Sequence, residues 1–494
     1  MIKSINILGG GTAGLIAALM LRASYDHLDI TIIESSEYGI VGVGEGSTEH
    51  WKTFMDHANI DIYDLFKETG ATFKTGIRFE NWHGDGTEYW HSLPEFVSFR
   101  DHRIGLFPTM AKIIAEGSDP MRSVYYPTTI SEHAEPYHAI LNQYHFDTRK
   151  LNSFFHKLCS ERNIKIIDDI IDDVEFDDNG FVKSLIGKKG KYISDFFIDS
   201  SGFRRVISSK MGTEWVDCSK YLPMNSAFAA PTPYQEEIPS HTLARALSSG
   251  WMWRIPTQER FGNGYVFCDN FISDEDAEKE FRSQFSHPIE IAKKFKFTAG
   301  YVNKFWNKNC LSIGLSGMFV EPLEASSIGS TIQQMFGLCA EVFYWDKNNS
   351  TTEKRYNEIF TRVATNIVDF IQLHYFTKRN DSEFWKWAKT GIELTDFHKE
   401  HLEEFKTNLP GLIHFDQTYL MFKDLNYMQV MHGLDLFDQP KVKERIDKFA
   451  PYAYKLGADN LKFTDDFVKV TNYVSHRTAI NEILKRQSVV KYDM

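Results

Sequence analysis

Ile5-Asn6-Ile7-Leu8-Gly9-Gly10-Gly11-Thr12-Ala13-Gly14 carries a mainly apolar run straight into a glycine cluster, and its reading decides the fold class. Ile5 to Leu8 predict a buried strand, and Ala17, Ala18 and Leu21 beyond the glycines predict a helix. Between them, Gly9, Gly11 and Gly14 match G-x-G-x-x-G. Gly9 permits the tight turn, Gly11 the close approach of a pyrophosphate, and Gly14 the packing of helix on strand. Thr12 and Ala13 fall at the helix N-terminus, whose unpaired N–H groups favour phosphate. A second strand, Ile30 to Ile33, ends at Glu34, where an acid accepts hydrogen bonds from ribose hydroxyls. The stretch predicts an α/β, Rossmann-like dinucleotide-binding fold.

Composition bounds the partners. A chain of 494 residues can bury one large core or two to three smaller ones. A formal net charge of −12 argues against a nucleic-acid binder, which needs a basic face. Aromatics reach 14%, which suits a planar cofactor and an aromatic substrate, although an aromatic-rich core would look the same. The cysteines (Cys159, Cys218, Cys268, Cys310, Cys339) are scattered with no CxxC pair. That argues against a disulfide framework and against a zinc site, so no metal is expected, and a reducing cytoplasm fits. Glycines break the apolar run from Ile5 to Leu21, so it reads as a strand entering a helix and not as a signal sequence. No stretch is long and apolar enough to predict a membrane span.

Four further segments narrow the class. Gly250-Trp251-Met252-Trp253-Arg254-Ile255-Pro256 contains W-x-W-x-I-P, with both Trp on one face if the segment is a strand. Val41-Gly42-Val43-Gly44-Glu45 follows soon after the ribose acid. Phe197-Ile198-Asp199-Ser200-Ser201-Gly202 contains D-x-S-G, and Val320-Glu321-Pro322-Leu323-Glu324-Ala325-Ser326-Ser327 couples two acids to a small-residue turn. With Ala71 to Phe79 around Lys74, the set resembles the flavin-dependent halogenases of the tryptophan-halogenase family, from residue 1 to about 380, as a divergent member.

That resemblance implies an FAD-binding, monooxygenase-type fold with a substrate β-sheet and a C-terminal helical subdomain. Residues 1–345 would form the FAD domain interleaved with the sheet, and 346–494 a mainly helical substrate-side part. Gly44, Glu45, Asp199 and Gly314 join Gly9, Gly11, Thr12, Ala13, Gly14 and Glu34 as flavin-side residues. The segments Val174–Phe176, Phe181–Ile186 and Tyr192–Ile193 read as a short β-meander typical of such flavoproteins. Leu315 stands where many monooxygenases carry Asp beside the ribityl chain. No second glycine fingerprint is present, so a separate flavin reductase would supply FADH2.

In the family, reduced flavin and O2 oxidise halide to hypohalous acid, and a lysine beside the substrate directs electrophilic halogenation. Lys74 would be that lysine and Glu324 its partner carboxylate; burial can lower a lysine pKa so that both protonation forms are accessible. Trp251, Trp253, Ile255 and Pro256 would wall the substrate from the flavin and line a dry passage. Backbone N–H groups of Ser326 and Ser327 would bind halide. Ala325 replaces the family's Ser; the less polar site suggests bromide or iodide over chloride.

Glu321, before Pro322, reads as structural, as do His145 and His374, the latter on the amphipathic face Ile359, Val363, Ile367 and Phe370. Trp90 and His91 are pocket candidates and equally packing residues. Tyr452 and Tyr454 do not match the tyrosine pair that holds the amino acid in tryptophan-specific members, so an indole or phenol fits better. A flavin-dependent aromatic hydroxylase is the alternative reading, disfavoured by W-x-W-x-I-P and Leu315. A silent flavin-binding protein is disfavoured by Lys74 and Glu324 occurring together. Oligomeric state is not legible.

Overall fold

The computed structural model describes residues 2–39, 45–92, 107–117, 142–233, 237–342, 344–415, 419–470 and 475–486. The glycine fingerprint folds as the sequence predicts. Strand β1 (Ser4–Leu8) enters helix α1 (Thr12–Ser24), and β2 (Asp29–Glu34) lies parallel to β1. On the other side of β1 lies Phe196–Asp199, then Cys310–Ser312, both parallel; Lys165–Asp168 extends the sheet beyond β2. Trp306–Asn307 closes one edge antiparallel. The predicted meander is present as Ile171–Phe176, Val182–Gly187 and Lys191–Ile193.

A second, seven-stranded sheet carries the rest of the site. Its order runs Lys293–Lys296, Ser226–Pro233, Arg260–Phe267, Gly250–Pro256, Thr242–Leu247, Gly76–Glu80 and Glu88–Ser92. Strand residues alternate between faces, so register fixes which side chains meet. Trp251 lies between Ala246 and Val266, and Trp253 between Ala244 and Gly264. Small cross-strand neighbours leave room for each indole to lie over the adjoining strands. Ile77 pairs Thr242 on one side and His91 on the other, and Phe79 pairs Ala244 and Tyr89. One face therefore runs from the two Trp to Tyr89 and His91.

A three-stranded sheet of Glu45–Gly46, Tyr144–Phe146 and Thr72–Phe73 delivers the chain to Lys74. Helices Ser326–Glu341 and Thr351–Leu373 pack in the same continuous core as β1 and α1, which includes side chains from Ile2 to Ile483. Among the described residues no helix is long and apolar enough to cross a membrane. All five cysteines are unpaired.

Gly264 is the tightest point of this design. A Cβ there would lie 2.0 Å from Trp253 Cη2 and 2.5 Å from the Phe228 carbonyl oxygen. Gly264→Ala is expected to cost about 1–3 kcal/mol, as overpacking does, and to shift Trp253. Denaturant unfolding together with tryptophan fluorescence checks both; wild-type values for the two would contradict the packing.

Candidate active site

The nucleotide end is built by backbone geometry. Gly9 sits at φ +118°, and a Cβ there would lie 2.3 Å from the Ser200 carbonyl oxygen. A Cβ on Gly14 would lie 2.0 Å from the Gly9 carbonyl oxygen, so α1 can approach β1 only with glycine. At Gly11, by contrast, no atom lies within 4 Å of the Cβ position. That open space adjoins a cavity of about 690 Å³ whose wall includes Gly9, Gly11, Thr12, Ala13, Glu34 and Gly314. Thr12 Oγ1 is buried there without a hydrogen-bond partner. An open glycine, free N–H groups at a helix start and a partnerless buried hydroxyl fit the pyrophosphate of a dinucleotide such as FAD.

Glu34 stands on the cavity wall with Oε2 3.2 Å from His156 Nε2, and this contact raises the imidazole's pKa. Glu45 is also on the wall, and burial pushes its carboxyl up to about 7. Gly44 lies outside the described residues. Asp199 does not line the cavity. Its buried carboxylate accepts from the backbone N–H groups of Ser201, Ile207 and Ser208 and from the hydroxyls of Ser201 and Ser316, which ties the strand end to the following turn.

Trp251, Trp253 and Ile255 form part of the same cavity wall, as do Ala325, Ser326 and Ser327. Pro256 does not; its carbonyl instead accepts from Thr72 Oγ1 at 2.9 Å, anchoring the strand before Lys74. Trp251 Nε1 donates to Glu321 Oε2 at 2.7 Å, and Tyr375 donates its hydroxyl to the same oxygen at 2.6 Å. Glu321 is fully buried, and burial raises its carboxyl to about 7 against the pull of those two donors. It is thus the anchor that orients the first Trp. Ala325 adopts φ +53° and precedes helix Ser326–Glu341, whose first two residues line the cavity.

Lys74 and Glu324 lie off the cavity wall. Lys74 is 2% exposed; Nζ donates to the Ser47 carbonyl at 2.8 Å, and its own N–H donates to Gln143 O. Burial lowers its pKa to about 8, partly opposed by Glu324 and Glu49. Glu324 is held from two sides: His91 Nδ1 is 2.7 Å from Oε2, and His374 Nε2 is 2.9 Å from Oε1. Burial alone would raise this carboxyl, but the two imidazoles overcome it and bring it down to about 2. Tyr89 OH meets His374 Nδ1 at 2.8 Å, Asn426 Nδ2 meets His91 Nε2 at 3.0 Å, and Phe79 stacks on both Tyr89 and His374.

The apolar helix face predicts a core or interface histidine at His374; it is buried, and it also faces Glu324. His91 proves to be a carboxylate partner, whereas Trp90 packs against His241 and Arg78. His145 is held between Thr72 and Thr242 hydroxyls beneath Lys74's strand, as a structural residue. Tyr452 is 52% exposed and Tyr454 bonds Asp447, so neither joins the site. Spacing could not reveal the His91–Glu324 contact, which closes across 233 residues.

A sequence profile of the tryptophan halogenase family matches residues 4–450. The chain is 29% identical over 469 residues to a tryptophan 6-halogenase of Streptomyces toxytricini, covering 86% of this chain and 88% of that protein. It is 30% identical over 475 residues to a 7-chloro-L-tryptophan 6-halogenase of Kutzneria sp. (strain 744), covering 86% and 89%. Its fold is similar to that of a tryptophan halogenase from Shewanella frigidimarina NCIMB 400, with a TM-score of 0.88, 25% identity and 98% of both chains covered. The chain therefore belongs to the tryptophan halogenase family, and so is a flavin-dependent halogenase, an oxidoreductase whose family uses FAD, O2 and a halide and typically a separate flavin reductase.

Glu321 gives this site a pH signature. Its folded pKa of about 7 exceeds the ordinary 4.5, so its contribution is fully present below 4.5 and is lost as pH rises through 7. Between those values wild type should lose on the order of 3 kcal/mol relative to Glu321→Gln, which keeps an acceptor for Trp251 without the buried charge. Paired unfolding curves at pH 5 and pH 8 measure the difference; a wild type that gains on the variant over this interval would contradict it.

Proposed function

We propose that this halogenase brominates or iodinates an indole- or phenol-type aromatic, with Lys74 guiding the oxidised halogen and Glu324 stabilising the cationic ring. The observation that carries this reading is a buried lysine, its Nζ on the Ser47 carbonyl, in the same region as a buried carboxylate flanked by His91 and His374. Reduced FAD, when bound, supplies with O2 the two-electron oxidation of halide to hypohalous acid. Gly9, Gly11, Thr12, Ala13, Gly14, Glu34, Glu45 and Gly314 would hold it. Trp251 and Trp253 keep the aromatic from the flavin side, so that oxygen transfer does not compete. Ser326 and Ser327 offer halide the free N–H groups of a helix start.

At the chemical end, Lys74 as ammonium donates a proton to the hydroxyl of hypohalous acid, which leaves as water as the carbon–halogen bond forms. The neutral amine then takes the proton lost by the ring carbon, so transfer of the electrophilic halogen and rearomatisation return Lys74 to its starting form. A pKa near 8 makes both steps accessible at neutral pH. Glu324, near 2, is too weak a base for that proton, and its charge acts instead on the developing cation. Lys74→Ala is expected to lower the halogenation rate about 10²-fold or more while FAD still binds. Lys74→Arg should fail as well, since a guanidinium does not give up its proton. Product analysis with flavin absorbance tests both; an active Lys74→Arg enzyme would sink the proton cycle.

The halide preference rests on Ala325. Without a hydroxyl the turn compensates poorly for dehydrating a small anion, and bromide and iodide shed water more readily. The Kutzneria relative carries chlorine in its substrate's name, so chloride is the natural competitor here. With equal chloride, bromide and iodide, brominated or iodinated product should dominate by mass spectrometry, and mainly chlorinated product would refute the preference. The relatives are named for tryptophan, but Tyr452 and Tyr454 supply no clamp for an amino-acid backbone. A broader aromatic, with a separate flavin reductase as the only protein partner required, fits these residues better.

A further inference from the structure

Away from the halogenation site, one cluster has the chemistry of a metal centre. His401 and Glu404 lie three residues apart on helix Asp396–Thr407, where side chains at that spacing share a face. The chain then turns at Gly411, and the short helical turn Leu412–His414 brings His414 back to them. His401 Nδ1 lies 3.7 Å from one Glu404 oxygen, and His414 Nε2 lies 3.6 Å from the other. All three candidate ligand atoms fall within 4.8 Å of one another. A tetrahedral zinc site, with bonds of about 2.0–2.2 Å, spaces its ligands about 3.4 Å apart, so small side-chain rotations suffice.

The ring nitrogens of the two histidines support this assignment. His414 Nδ1 is 2.9 Å from the Gly411 carbonyl; donating there leaves Nε2 with its lone pair toward Glu404. The same Nδ1 is 3.1 Å from the Gly411 N–H, so a ligand on Nε2 would select the tautomer. His401 Nδ1, the nitrogen facing Glu404, is buried without a hydrogen-bond partner, while its Nε2 makes no hydrogen bond to the Glu400 carboxylate 3.9 Å away. Metal-bound imidazoles characteristically have a carbonyl or carboxylate on their second nitrogen, as His414 does. Phe405 packs against both rings, and Phe397 against His401, which limits their rotation. Glu404 is 43% exposed and so opens the cluster to entry of an ion.

Leu412 is 66% exposed and Ile413 87%, so the buried Phe415 at its end is the turn's apolar anchor and a metal ion would hold its His414 side. We propose that His401, Glu404 and His414 bind one divalent transition-metal ion of the zinc class, which staples the turn to the helix. Two imidazoles and one carboxylate suit zinc-class ions, whereas calcium and magnesium favour all-oxygen shells. The absence of a CxxC pair does not bear on such a site.

The test uses full-length, tag-free protein with FAD bound, stripped with EDTA and dialysed against graded zinc chloride. Bound zinc is counted by elemental analysis, and thermal unfolding is followed at each concentration. Wild type should bind one equivalent more than Glu404→Gln and His414→Ala, and its Tm should rise with zinc while theirs do not. Glu404→Gln alters an exposed carboxylate and decides the matter even if His414→Ala folds poorly. Equal zinc counts and equal Tm shifts in wild type and Glu404→Gln would overturn the proposal.

Discussion

Glu324 held between His91 and His374 is the interaction on which the chemical end depends. An ionised carboxylate at 3% exposure is costly unless its oxygens are paired; here Oε2 hydrogen-bonds His91, and Oε1 has His374 Nε2 2.9 Å away in a contact that is not a hydrogen bond. Those imidazoles are in turn fixed by Asn426 and Tyr89, and Phe79 stacks under the Tyr89–His374 pair. The charge maintained this way also acts on Lys74, partly offsetting the burial that lowers its pKa. Removing either imidazole would free one carboxylate oxygen and weaken the contrast between acid and base.

The seven-stranded sheet arranges this chemistry in space. Because alternate residues share a face, the two Trp, Thr242, Ile77 and finally His91 follow one another across adjacent strands. The cavity is lined along that face by Trp251, Trp253, Thr242 and Ile77, and the Glu324 cluster begins at His91, the strand neighbour of Ile77. Glu321 connects the two regions through neighbouring sequence: it anchors Trp251 three residues before Glu324 takes its imidazole partners. Strand register and one short turn thus place the Trp251–Glu321 contact and the Glu324 cluster side by side.

The parts of this design that are local in sequence were legible. Strand, glycine turn, helix and Glu34 fall within one supersecondary unit whose steric demands determine residue type at each position, and the meander likewise follows from short strand patterns. Lys74 and Glu324 could be named from the motifs around them, but not their burial or their pKa contrast, which arise from contacts across the whole chain. Asp199 misled for a local reason: an acid before Ser200-Ser201-Gly202 can satisfy itself with nearby N–H groups, and it does. Pro256 was grouped with the Trp wall by adjacency, yet its working atom is a carbonyl turned to Thr72. His374 fell on an apolar helical face, and nothing in that periodicity distinguishes a packed histidine from one that also faces a carboxylate.

The central claim is that the aromatic and the flavin occupy separate compartments divided by Trp251 and Trp253. A crystal structure of the protein with FAD and a bound indole tests it most directly. The predicted result is isoalloxazine in the cavity lined by Gly11, Thr12, Trp251 and Trp253, indole beside Lys74 and Glu324, and no contact between the two ligands. Indole stacked directly on the isoalloxazine would contradict it.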